Sequence, residues 1–98
     1  MIDRLNYEQC AELINSDFSV KESEGKISLR LVKVENLGEN NESTSFSLRF
    51  LDLSKSAVEQ GTYTLVTQQG EESLVFLVPI EETREGRILE AVFNRNSF

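Results

Sequence analysis

Ninety-eight residues suffice for one domain and leave too little chain for a second with its own core. A formal charge of −7, with ten Lys and Arg scattered singly, offers no cationic block for consecutive phosphates or for an anionic membrane surface. With no histidine and one cysteine, Cys10, the chain lacks the usual general base, nearly all zinc and iron chemistry, and any intrachain disulfide.

The N-terminus carries the only helix signal, over residues 7–14. Asn6 can cap it, with Gln9 completing a capping box, and Leu5 and Cys10 occupy the two staple positions. Cys10, Leu13 and Ile14 recur at helical spacing, and Asn15, which tolerates left-handed backbone, is the expected stop. So short a helix is unstable alone and has to dock its apolar face. No positively charged leader precedes an apolar stretch, so a cytoplasmic location is expected.

From Asp17 onward the chain reads as strands over residues 17–21, 27–36, 45–53, 62–67, 73–80 and 87–94. In the second, Ile27, Leu29 and Leu31 alternate with polar residues before the apolar phase slips to Val32 and Val34, which predicts a bulge or sharp bend. In the third, Phe46, Leu48 and Phe50 share a face, and Leu51 and Leu53 suggest a second slip. The fourth places Tyr63 and Leu65 inward. In the sixth, Leu89, Ala91 and Phe93 alternate with Glu90 and Val92. The fold class is therefore mainly β, a small antiparallel barrel or sandwich of about six strands with one short N-terminal helix packed on it. The two slips favour the barrel, since closing a small sheet needs bent strands.

The fifth strand, "SLVFLVPI", is apolar at successive positions and far too short to span a bilayer as a helix, which takes about 20 residues. If Leu74, Phe76, Val78 and Ile80 face the core, Val75 and Leu77 face outward beside Val32, Val34 and Val66. A strand apolar on both faces needs a second cover, from the helix or from another chain. Val32, Val34, Val66, Val75 and Leu77 are thus the candidate interface, and Phe76 and Phe93 are candidate core aromatics. Pro79 is expected near the strand end, where its missing N–H costs no ladder bond.

The segments "SFSLRF", "QGTYTLV", "SLVFLVPI" and "LEAVFNR", together with the N-terminal "LNYEQCAELINSDFSV", resemble in order and spacing a family of small uncharacterised bacterial domains. Leu89 stands where that family often has Tyr, and Asn15-Ser16 stands where a Gly commonly ends the helix. The resemblance implies no activity and no site. Relatives tend to be encoded near phage-tail-like or collar-type structural proteins, which implies an accessory or assembly role.

No residue pattern points to catalysis, a cofactor or a resident metal. Glu71-Glu72 and Glu81-Glu82 are adjacent carboxylates in expected hairpin loops, where they are solvated rather than held as an acid–base pair. Residues 35–42 supply oxygen ligands for weak calcium binding but lack the alternating ligands of a calcium loop. Cys10 has no histidine to activate it. The expectation is a non-enzymatic protein–protein or assembly module that self-associates or binds a protein partner, and not nucleic acid or membrane. A small barrel holding an apolar small molecule is the alternative.

Overall fold

The computed structural model describes residues 2–39 and 43–96, with side chains described as far as Asn94. A 3-10 turn at Ile2–Arg4 leads into helix α1, Tyr7–Ala11. Six strands follow: β1 Asp17–Val20, β2 Ser28–Glu39, β3 Ser43–Asp52, β4 Gly61–Val66, β5 Glu72–Glu82 and β6 Arg87–Asn96. They pair antiparallel throughout and close into a barrel in the order β1-β2-β3-β6-β5-β4. Among the described residues no helix is long and apolar enough to cross a membrane.

The capping box forms as its sequence dictates: the Asn6 side chain accepts from Gln9 N at 2.8 Å, and the Gln9 side chain accepts from Asn6 N at 3.0 Å. The helix is shorter than the apolar spacing predicts. Beyond Ala11 the backbone tightens into turns and ends at Asn15, whose φ is 77°. Cys10 is fully buried, and Tyr7 sets its ring edge-on to Phe46 at 6.2 Å, so the helix docks against the barrel by its apolar side.

The slip in β2 is a bulge. Leu31 pairs with Phe50 and Lys33 with Arg49, leaving Val32 as the extra residue. Val34 then pairs with buried Leu48 and packs against the core, so the bulge returns the apolar set to the interior instead of turning it outward. A second bulge leaves out Leu37, between Asn36 and Gly38.

The second expected slip, in β3, does not occur. The β3–β6 register runs unbroken from Ser43↔Asn96 to Leu51↔Ile88, and the inward position after Phe50 is taken by Asp52, fully buried. A carboxylate is tolerated there because it is bonded on both oxygens. Oδ1 accepts from Ser54 N at 3.0 Å and from the Ser54 hydroxyl, and Oδ2 accepts from Ser56 N at 2.9 Å. Asp52 thereby fixes the turn that leaves β3.

The largest correction concerns β5. Val75 and Leu77 face the core and are buried, whereas Leu74, Phe76 and Ile80 are exposed. Parity is set by pairing with β4, where Leu65, Tyr63 and Gly61 lie opposite Ser73, Val75 and Leu77. Ser73 can occupy the interior because its hydroxyl accepts a hydrogen bond from Ile2 N at 2.7 Å. Pro79 is also not terminal. The strand continues to Glu82, and the proline sits beside a bulge at Ile80, the other strand position that accommodates a missing N–H.

The interior is filled by Phe18, Leu29, Leu31, Phe46, Leu48, Phe50, Leu65, Val75, Leu77 and Leu89. Phe18 meets Phe50 edge-on at 5.8 Å, and Phe46 tilts onto Phe93 at 5.7 Å. Two seams of the barrel are short. β1 and β4 share only the pairs Ser19↔Val66 and Val20↔Leu65, and the Glu22 carboxylate prolongs the seam by accepting from Thr64 N at 2.9 Å and from its hydroxyl at 2.7 Å. The β5–β6 ladder, among the described residues, starts only at Val78↔Glu90 and ends at Glu82↔Arg87.

Candidate functional site

Because Val75 and Leu77 fill the inner face of β5, its other apolar residues are left on the outside. Leu74 is 64% exposed, Phe76 52%, and Val92 on neighbouring β6 55%. Val78, half-buried and opposite Glu90, continues the row towards Ile80. Where β5 and β6 diverge beyond Val78↔Glu90, a shallow groove of about 340 Å³ opens, lined by Phe76, Val78, Glu90, Ala91, Val92 and Phe93. The result is an apolar strip running along the outer face of β5 and spilling onto β6. Singly exposed apolar residues are ordinary on a protein surface, but adjacent ones on neighbouring strands mark a surface that can dock.

This strip is not the interface expected from sequence. Val75 and Leu77 are core side chains with no surface to offer, and Val34 packs against the core. Val32 and Val66 are half-buried. Phe76 leaves the core for the surface, and Phe93 is partly buried against Phe46. The overlooked signal was Ser73: a polar residue at the head of an apolar run invites an outward assignment, which inverts every position after it.

Charged groups frame the strip. Lys21 reaches Glu72 at 3.0 Å, Arg49 lies 3.6 Å from Glu90, and Arg87 pairs with Glu82 across the β5–β6 hairpin. Of the adjacent pairs Glu71-Glu72 and Glu81-Glu82, Glu72 and Glu82 thus each engage a cation from another element. Among the described residues, the Ser47 hydroxyl and Arg49 Nε are buried without a hydrogen-bond partner. Both lie on the β3 face beside Val92 and Glu90, with which these residues pair.

Other candidate chemistry is dispersed. Cys10 lies in the core. Of the expected calcium loop, residues 35–39 belong to β2 and 40–42 lie outside the described residues. A cleft of about 310 Å³ between residues 13–18 and 67–69 contains one carboxylate, that of Asp17. Arg30 engages it in a bidentate pair, Nε to Oδ1 at 2.8 Å and Nη2 to Oδ2 at 3.2 Å.

These hydrogen bonds, and the Arg30 charge behind them, lower the Asp17 pKa from its ordinary 3.8 against an opposing effect of burial. The folded state thus favours the charged form. The stabilisation is complete above the ordinary value and is lost as pH falls through the lowered one. Both side chains are more than a third exposed, so the effect is small. In thermal melts between about pH 6 and pH 2, Asp17→Asn is expected to lose less stability than wild type below about pH 4. Equal losses in the two proteins would refute this role for the pair.

The architecture defines a class: a small closed barrel of six antiparallel strands, capped by a short N-terminal helix and carrying an apolar strip outside. The chain belongs to a family described as a domain of unknown function, DUF6916, whose family model matches residues 5–93. No curated protein and no solved structure matches the chain.

Proposed function

We propose that this domain is a non-enzymatic protein–protein interaction or assembly module, and that its interface is the outer strip formed by Leu74, Phe76, Val78 and Val92. The observation that carries this reading is the exposure of Leu74, Phe76 and Val92 side by side on adjoining strands. A strand apolar on both faces in a small barrel loses free energy of hydration on its open side unless something covers it. Ion pairing of Glu82 and Glu90 across strands, and of Glu72 with Lys21 in the turn after β1, supports the non-enzymatic reading, since these carboxylates serve the sheet. The alternative, an apolar small molecule within the barrel, finds that space already taken by Phe46, Phe50 and the leucines around them. The resemblance to domains encoded near phage-tail-like or collar-type proteins extends the proposal to an accessory role in such an assembly.

Site-directed photo-crosslinking in the native cell tests the interface. With Phe76→p-benzoylphenylalanine, a discrete protein adduct is expected, either with a second copy or with another protein. The same residue in place of exposed Glu12 is expected to give none. Absence of an adduct at position 76 would overturn the assignment.

A further inference from the structure

We infer that the strip receives a protein segment whose apolar side chains are flanked by Lys or Arg. This deepens the interaction reading above and rests on it. The strip has carboxylates at both ends and along both sides. Glu71 and Glu72 precede Leu74, and Glu81 and Glu82 follow Ile80. On the β4 side, the Glu22 carboxylate is anchored on Thr64, the residue opposite Leu74. On the β6 side, Glu90 lies opposite Val78 and lines the groove beside Phe76.

Three of the cations that reach this region are already engaged. Lys21 faces Glu72, Arg49 faces Glu90 and Arg87 faces Glu82, while Glu81 makes no ion pair among the described residues. Acid therefore remains in excess at the rim, even counting exposed Arg84 of the β5–β6 hairpin, which makes no ion pair among the described residues. A second copy docking here would bring two chains of formal charge −7 together with acidic rims facing each other. Like charges placed opposite across an interface are strongly unfavourable, whereas opposite charges speed encounter and set the register of docking. An anionic bilayer or a nucleic acid meets the same repulsion. A basic-flanked apolar segment satisfies both features at once: its centre covers Leu74, Phe76 and Val92, and its ends neutralise the rim.

Two fluorescein-labelled peptides with one shared Leu/Val core, one flanked by lysines and the other by glutamates, provide the probe. Their binding to the whole protein is read by fluorescence anisotropy. The lysine-flanked peptide is expected to bind at least about tenfold more tightly. Its affinity should fall several-fold as salt rises from about 0.05 M to about 0.5 M, as screened surface attraction requires. Leu74→Ser combined with Phe76→Ser, both at exposed positions, should abolish binding while leaving the circular dichroism spectrum unchanged. Equal affinity for the two peptides, salt-independent binding, or no binding of the lysine-flanked peptide would each overturn the inference. If the cross-link at position 76 nevertheless forms with a second copy or another protein, the interaction reading stands and only the basic-partner inference falls. If neither adduct nor peptide binding appears, both fall.

Discussion

Gly86→Ala is expected to destabilise the domain by about 3 kcal/mol or more, enough to lower the melting temperature by more than about 10 °C. Gly86 sits in the tight Thr83–Gly86 turn that joins β5 to β6, buried, with φ +147°. A Cβ there would overlap the Asp52 carbonyl oxygen and lie 3.2 Å from its carbon, so the obstacle is backbone, not a yielding side chain. Neither side has room to retreat. Thr83 holds Gly86 through its N–H and hydroxyl, at 3.0 and 2.7 Å, while the Asp52 carboxylate is tied to the serine turn beyond β3. Gly70→Ala isolates the backbone contribution: φ is +88°, but nothing lies within 4 Å of the added Cβ. Its cost is expected to be about 1–2 kcal/mol, the ordinary penalty of left-handed backbone for an L-residue. If urea denaturation gave equal losses for the two variants, the close approach to Asp52 would have no energetic weight.

Phe46→Ala is the second large effect, about 3–5 kcal/mol. The ring is fully buried between Tyr7 of the docked helix and Phe93 of β6, so truncation leaves a cavity where three elements meet. Since a domain of this kind has only about 5–15 kcal/mol in total, much of the population would unfold at moderate temperature. Phe76→Ala changes the same atoms at a half-exposed position and is expected to cost about 1 kcal/mol or less. The comparison separates core from surface by calorimetry alone. A larger loss for Phe76→Ala than for Phe46→Ala would reverse the assignment of faces in β5.

The parity of β5 shows where local pattern loses its force. Strand existence and type were legible because alternation and turn residues are local properties. The capping box at Asn6 and Gln9, an irregularity in β2 and left-handed backbone at Asn15 were legible for the same reason, although the helix itself ends at Ala11. In "SLVFLVPI" both parities are apolar, so periodicity alone does not choose a face. The choice falls to partners distant in sequence: Leu65 across the β4–β5 ladder, and Ile2, whose N–H satisfies Ser73 in the interior. A similar substitution of polar for apolar misled the reading of β3. There a buried Asp52 holds the inward position that Leu51 and Leu53 would otherwise have claimed.

The candidate site inherits this ambiguity. Its location on β5 was readable, since a doubly apolar strand needs covering twice, but the residues named for its open face were largely those turned inward. The acidic rim is drawn from Glu22, Glu72, Glu81 and Glu90, which two strands, β5 and β6, and the turn after β1 bring together. Linear sequence shows them only as scattered charges.

The sequence by itself determined an acidic, mainly β chain, its six strands and its capped helix, because composition and short-range periodicity carry those properties. Tertiary structure alone decided that the barrel closes, which face of β5 is core, and that Leu74, Phe76 and Val92 share an acid-framed surface. Those outcomes depend on register between distant strands. A shift of one residue exchanges the faces of a strand without changing its amino-acid sequence.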